Sequence, residues 1–224
     1  MNAIELINKR KSIRGYKSDP VSKEILSEIL LAAGQAPSAM NTQPWEFIVL
    51  AGEVLDAISR EIVESLIRGE EASPDHQVVG WSKDSIYRKR QVELAKQIFK
   101  IMDIPREDKE KRAKWLERGF RFFDAPAAIL IVTDRSLEES APLLDLGAAM
   151  QNICLAALDY DLGTCIEDQS VLYPEIVRKH TGLDASKRII IAIAIGYPDW
   201  DFPANELKSD RQPLYSTTKW LGFE

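Results

Sequence analysis

Residues 143–158 read Leu-Leu-Asp-Leu-Gly-Ala-Ala-Met-Gln-Asn-Ile-Cys-Leu-Ala-Ala-Leu. Apolar side chains fall at almost every position, so a helix built on this stretch has no polar face and demands cover on all sides. Two surroundings meet that demand, the centre of a monomer or the centre of a dimer. Upstream, Ala127 to Val132 is an uninterrupted apolar run, which predicts a strand buried on both faces. Downstream, Ile189 to Ile195 repeats the pattern and stops at Gly196-Tyr197-Pro198. The stretch therefore sits among two buried strands, and its own cover is the open question.

Toward the N-terminus, residues 3–10 read as a short helix that runs into a basic knot, Arg10-Lys11-Ser12-Ile13-Arg14. Gly15 and Asp19-Pro20 break the chain there. Residues 22–36 form an amphipathic helix, with Ile25, Leu26, Ile29, Leu30 and Ala33 on one face and Pro37 as its stop. A polar loop, Ser38-Ala39-Met40-Asn41-Thr42-Gln43-Pro44, leads to Trp45 and a predicted strand over Glu46 to Leu50. Gly52 opens a helix that reaches about Leu66. Residues 69–120 read as two helices and a loop, a helical insert leaving the core within a single domain of residues 1–224. The segment from 197 to 224 has little periodicity, yet carries Trp220 and Phe223 near its end. Such aromatics do not suit a free disordered tail; the segment is expected to dock, on its own subunit or on a partner.

Bulk properties exclude several classes. A net charge of -6 argues against a nucleic-acid binder, which needs a basic excess. No apolar run is long enough to span a bilayer. The first ten residues lack the apolar core and cleavage site of a secretory signal. Cys154 and Cys165 have no zinc or redox spacing and suit a reduced, cytoplasmic protein. His76 and His180 are the only histidines and neither has a ligand-spaced neighbour, so no metal site is expected. No glycine-rich phosphate fingerprint follows a strand. An enzyme so poor in acid–base groups would rely on a borrowed cofactor.

Arg10, Lys11, Ser12 and Arg14 near one end of the chain and Lys208 and Arg211 near the other admit two readings: solvated basic patches, or one anion site assembled from both extremities. Arginine suits the second, because its planar fork donates two parallel charge-assisted bonds to phosphate. With Ala36-Pro37-Ser38-Ala39-Met40-Asn41-Thr42-Gln43-Pro44-Trp45, the basic knot resembles the nitroreductase family signature. Phe122-Phe123-Asp124-Ala125-Pro126, Gly147-Ala148-Ala149-Met150-Gln151-Asn152, Leu162-Gly163-Thr164-Cys165, Gly196-Tyr197-Pro198 and Arg211-Gln212-Pro213-Leu214 follow in the family's order. The 69–120 insert and the Trp220-Leu221-Gly222-Phe223 ending resemble the nitrobenzoate-reductase-like branch.

The resemblance implies an α+β fold, a central mixed, mainly antiparallel sheet flanked by helices, in an intertwined homodimer with non-covalent FMN at the subunit interface. Arg10, Lys11, Ser12 and Arg14 would meet the FMN phosphate, ribityl chain and pyrimidine edge, with Arg14 nearest N1 and C2=O. Lys208 and Arg211 would complete the phosphate clamp. Pro37, Ser38, Ala39, Met40, Asn41 and Gln43 would reach over from the other subunit. The segment holding Cys165, Ile166 and Glu167 would run beside N5 and offer it a backbone N–H, with Cys165 a packing residue. Many relatives have an asparagine near position 119, where this chain has Gly119, and Arg121 would take that contact. The implied activity is ping-pong transfer of electrons from NADH or NADPH to a small aromatic electrophile, a nitroaromatic or quinone, with no protein residue as acid or base. Trp81, Tyr87, Arg88, Phe120 and Arg121 are the candidate substrate contacts. Reductive dehalogenation, dehydrogenation and non-catalytic FMN binding are the alternatives. On this reading Arg211→Ala weakens FMN binding by about 1.5–3 kcal/mol, the range for a lost charged hydrogen bond; an unchanged dissociation constant would contradict the clamp.

Overall fold

The computed structural model describes residues 2–78 and 80–223. Its strands are β1 (Glu46–Ala51), β2 (Ala127–Asp134), β3 (Gly163–Glu167) and β4 (Lys187–Gly196). They form one sheet in the order β1-β2-β4-β3, every neighbouring pair antiparallel. The expected mixed character shrinks to a single parallel bridge between Ser12 and Thr164 outside the named strands. The helices are α1 (Ala3–Lys9), α2 (Lys23–Ala33), α3 (Gly52–Arg68), α4 (Ile86–Ile101), α5 (Lys109–Phe120), α6 (Leu143–Ala156), α7 (Pro174–Thr181) and the single turn α8 (Leu214–Thr217).

Helices cover both faces of the sheet, which explains why its central strands carry no polar alternation. In β2, Ala128, Leu130 and Val132 face α3 and α7, while Ala127, Ile129 and Ile131 face α2 and α6. Ile129, Leu130 and Ile131 are fully buried, each worth about 1.5–3 kcal/mol in removed apolar surface. A bulge between Ile131 and Val132 shifts the register against β4. Two consecutive residues, Ile190 and Ile191, consequently sit in the α2–α6 layer. Helix α2 ends at Ala33 with Gly34 as its cap, short of the expected residue 36; Ala36 itself precedes Pro37, a position driven out of the helical region.

Helix α6 answers the question its sequence posed only in part. Leu146, Ala149, Ile153 and Cys154 are buried against the chain's own core, but Leu144 remains 87 % exposed and Gly147, Ala148 and Met150 are half-buried. One chain covers one side of an apolar helix. The insert holds the two predicted helices, α4 and α5. The loop ahead of them is tied to the end of the sheet through Asp75. Its carboxylate accepts bonds from Arg178 Nη2 (2.6 Å), the Ile189 N–H (2.9 Å) and Arg135 Nη2. Asp75 and Arg178 are both nearly excluded from solvent, so removing one partner leaves a buried charge unpaired. Asp75→Ala is expected to cost about 3–5 kcal/mol, read as a lower urea midpoint; a loss below about 1 kcal/mol would match a surface pair instead.

Candidate functional site

The site begins at the open edge of β3. Here the basic knot is laid against the strand: the Ile13 N–H donates to Thr164 O (2.9 Å), and Ser12 bridges Thr164. In a strand, successive residues turn their N–H and C=O to alternate sides. Thr164 points its carbonyl outward to Ile13, so Ile166, two residues on, presents its own N–H and C=O to the same open edge.

Beyond that edge lies a cavity of about 960 Å³. Its walls carry five cations, Lys9, Arg10, Lys11, Lys208 and Arg211, together with Ser12, Gln151 of α6, and the apolar Ile7, Ile166 and Leu207. Among the described residues none of its lining side chains is a carboxylate. Both ends of the chain thus meet at one concavity, in a protein whose net charge is -6. Crowding leaves a mark on Lys11: burial first, then the charges of Lys208 and Arg14, hold its ammonium below the usual lysine range. That ammonium donates to the backbone carbonyl of Asn205 and stands 5.9 Å from the centre of the Trp200 ring. Arg211 folds its guanidinium onto its own loop, donating to Ser209 O (3.0 Å), Ser209 Oγ (2.8 Å) and Asp210 O (3.1 Å).

Two residues outside the sequence-based candidates hold this arrangement. Asn205 is completely buried. Its Oδ1 accepts from the Arg14 N–H (2.7 Å), and its Nδ2 donates to Gly15 O (2.8 Å) and Asp199 O (2.7 Å). Arg118 donates through Nη2 to Arg14 O (3.2 Å) and Phe123 O (3.3 Å), pairs with Asp124 (2.7 Å), and lies over the Phe202 ring. Phe202 also explains Gly15: a Cβ there would stand 2.2 Å from the ring's Cγ. A buried asparagine in an aperiodic tail leaves no periodic trace, and Arg118 sits three residues from the Arg121 to which the contact had been given.

The other expected residues separate into groups. Arg10, Lys11, Ser12, Ile166, Lys208 and Arg211 line the cavity; Arg14 lies behind it, with its backbone clasped by Asn205 and Arg118. Alternation along β3 takes the side chains of Cys165 and Glu167 to the opposite face, into the core. Burial pushes the Cys165 thiol up to about 12, which suits packing and not nucleophilic attack. Burial likewise raises Glu167 to about 7, although it accepts bonds from the Ser170 N–H (3.1 Å) and hydroxyl.

Pro37, Ser38, Ala39, Met40, Asn41 and Gln43 stand away from this chain's cavity, at the start of α6, where the Ala39 N–H donates to Asp145 Oδ2 (3.1 Å). Two substrate expectations need correction. Phe120 packs in the core against Tyr173, and Arg121 is held by Glu117 and Asp124, lining a different depression beside α3. The amphipathic α5 turns its last residues inward to cover the sheet. Trp81, Tyr87 and Arg88 are exposed around the start of α4 and do not line the cation cavity of their own chain.

Comparison with known proteins agrees with this architecture. The Nitroreductase family profile matches residues 7–197. A nitrobenzene nitroreductase of Ectopseudomonas oleovorans is 32 % identical, over 97 % of this chain and 96 % of its own length. A 4-nitrobenzoate reductase of Pseudomonas putida is 28 % identical, over 98 % and 95 %. Among solved structures, the FMN and NADPH-dependent nitroreductase NfnB from Sphigopyxis sp. strain HMH superposes with a TM-score of 0.94 at 25 % identity, covering all of both chains. The chain belongs to the nitroreductase family.

The buried acid beside the site has a consequence for stability. Glu167 is driven up in the folded state, from 4.5 to about 7. Folding therefore favours its neutral form, and stability is lost as pH rises from the unfolded value through the folded one. Glu167→Gln is expected to flatten the decline in melting temperature between about pH 4.5 and 7 and to melt above the parent protein beyond it. Parallel pH profiles for the two proteins would refute the assignment.

Proposed function

We propose that this protein is an FMN-dependent oxidoreductase that takes electrons from NADH or NADPH and reduces nitroaromatic or quinone-like acceptors, acting in the cytoplasm as a homodimer. The observation that carries the reading is the carboxylate-free cavity in which Arg10, Lys11, Lys208 and Arg211 converge beside the open edge of β3. Its volume lies within the roughly 300–1,000 Å³ of small-molecule sites. Its lining is divided as a flavin mononucleotide is divided, cations for a phosphate and Ile7, Ile166 and Leu207 for an apolar ring. The names of the relatives, which act on nitrobenzene and 4-nitrobenzoate, and the FMN and NADPH dependence printed for the Sphigopyxis structure support the same choice.

On this reading the cations hold the phosphate, and Ser12 and Gln151 offer polar contacts along the cofactor. Arg14 would supply positive charge toward the pyrimidine edge from behind the cavity wall, and the Ile166 N–H would be available to the ring. Bound flavin would supply the two-electron chemistry. The net reaction balances as nitroarene, NAD(P)H and a proton giving nitrosoarene, NAD(P)⁺ and water. The protein's part is orientation and electrostatics. Both histidines and the buried Glu167 are otherwise engaged: His180 meets Glu61, His76 meets Glu139, and Glu167 meets Ser170.

The partner subunit would lay residues 37–43 over the cavity and receive the C-terminal tail. Within one chain the tail divides in two. Ala204, Asn205 and Leu207 are buried, whereas Leu214, Tyr215, Trp220, Leu221 and Phe223 are exposed. The second part is an apolar hook looking for a surface. Such a tail, and an apolar α6 covered on one side, fit a dimer.

Purified protein supplemented with FMN is expected to bind it with a bleachable visible flavin spectrum, to oxidise NADH or NADPH only when a nitroarene or menadione is added, and to migrate at twice the mass of one chain. Failure to retain FMN, or FMN binding without acceptor-dependent turnover, would reject the enzyme reading.

A further inference from the structure

We propose that Asn205 is the positioning residue that gives this protein its preference for a phosphorylated flavin over an unphosphorylated one. The inference rests on the FMN reading above and concerns a residue that touches no ligand. Five cations placed around one cavity repel each other, and side chains as long as lysine and arginine relax such repulsion by swinging apart into water. Something must fix the backbone from which they project. Along Arg14 both peptide groups are fixed by side chains remote in sequence, the N–H by Asn205 Oδ1 and the C=O by Arg118 Nη2. Asn205 goes further. Its side-chain amide nitrogen donates to Gly15 O on the N-terminal segment and to Asp199 O on the C-terminal one, while its backbone carbonyl, which any residue here would supply, accepts from the Lys11 ammonium.

A single buried amide therefore ties the segment bearing Arg10, Lys11 and Ser12 to the segment that continues into Lys208 and Arg211. Asparagine is suited to this post because it offers an acceptor and two donors on a short neutral stem. A carboxylate in its place would lose both donations and put a negative charge among the cations. An aliphatic residue would leave the Arg14 N–H and two carbonyls unpaired in the interior. What Asn205 controls is the relative placement of the cations, so its loss should fall on the phosphate contact and spare the ring.

The test compares FMN and riboflavin, which differ only by the phosphate, in fluorescence-quenching titrations of the full-length wild type, Asn205→Ala and Asn205→Asp. The wild type is expected to prefer FMN. Both variants are expected to lose at least about tenfold in FMN affinity, the equivalent of one well-made buried hydrogen bond, while riboflavin affinity holds. The FMN-to-riboflavin ratio thus collapses. Asn205→Asp preserves the shape and the acceptor, so it carries the test if Asn205→Ala does not fold. An unchanged ratio in folded variants, or an equal loss for both flavins, would overturn the positioning role and leave Asn205 a structural residue. A wild type that binds neither flavin would defeat the FMN reading itself, and this inference with it.

Discussion

Mutual repulsion among cations is the constraint around which this structure is arranged. Lys9, Arg10, Lys11, Lys208 and Arg211 share one concavity, although a protein of net charge -6 had ample carboxylates with which to neutralise them. The acids are used elsewhere: Glu117 and Asp124 on Arg121, Glu61 on Lys179 and His180, Asp75 on Arg135 and Arg178. Keeping them off the cavity lining leaves it positive: burial first, then Lys208 and Arg14, hold the Lys11 ammonium below its usual range, a cost that Glu206 offsets only in part. A dianionic phosphate would relieve that cost by forming charge-assisted bonds already aimed at it.

The sheet supplies the rigidity this requires. Its central strands are buried on both faces by helices, so the β3 edge cannot shift without disturbing two apolar layers. On that fixed edge the chain places a short bridged segment instead of a fifth strand. The pairing of Ser12 and Ile13 with Thr164 spends the start of the edge, and the stretch at Ile166 stays open toward the cavity. An exposed edge is ordinarily an aggregation liability. A bound planar ligand would turn the same open N–H into a contact.

What could be read beforehand follows from which interactions leave a periodic or compositional trace. The runs at 127–132 and 189–195 were legible as buried strands because burial on both faces removes polar residues altogether, and the Ile25–Ala33 stripe marked α2 for the opposite reason. The basic knot and the distant Lys208 and Arg211 were recognisable by residue type and by family order; the cavity lining contains Arg10, Lys11, Ser12, Lys208 and Arg211 but not Arg14. β3 was not legible as a strand. Its five residues, Gly-Thr-Cys-Ile-Glu, carry no apolar run, unlike the Phe-Ile-Val-Leu of the other edge strand, and its meaning lies in the direction of its N–H groups. Helix α7, from Pro174 to Thr181, was not read either. Phe120 was misassigned because an aromatic ring reads alike in a core and over a pocket; only the inward turn of the last residues of α5 separates the two. Asn205 and Arg118 act through backbone carbonyls and N–H groups far along the chain, a kind of contact that a single sequence does not encode locally.

The loop at 38–43 supplies the remaining step toward the proposed dimer. Met40, Asn41 and Gln43 all adopt left-handed backbone angles, with φ of 49°, 60° and 47°, a conformation that asparagine tolerates and the other two resist. Such strain runs to about 1–3 kcal/mol per residue and persists only where the surroundings over-determine it. Within the chain the restraints are modest: Ser38 Oγ accepts from the Gln43 N–H (3.0 Å), and Asp145 accepts from the Ala39 N–H. Two turn bonds, Asn41 N–H to Ser38 O and Thr42 N–H to Ala39 O (both 3.0 Å), span Met40, but its side chain is 98 % exposed and gains no packing in its own subunit. Asp145, where the loop is anchored, precedes Gln151, which lines the cavity, by six residues on α6, about 9 Å along the helix. If two copies pack these apolar helices antiparallel about a twofold axis, the strained loop of each is carried toward the other's cations. The exposed methionine, the half-covered helix and the open β3 edge then answer one another, and the loop's strain is offset in the assembled site, not in the isolated chain.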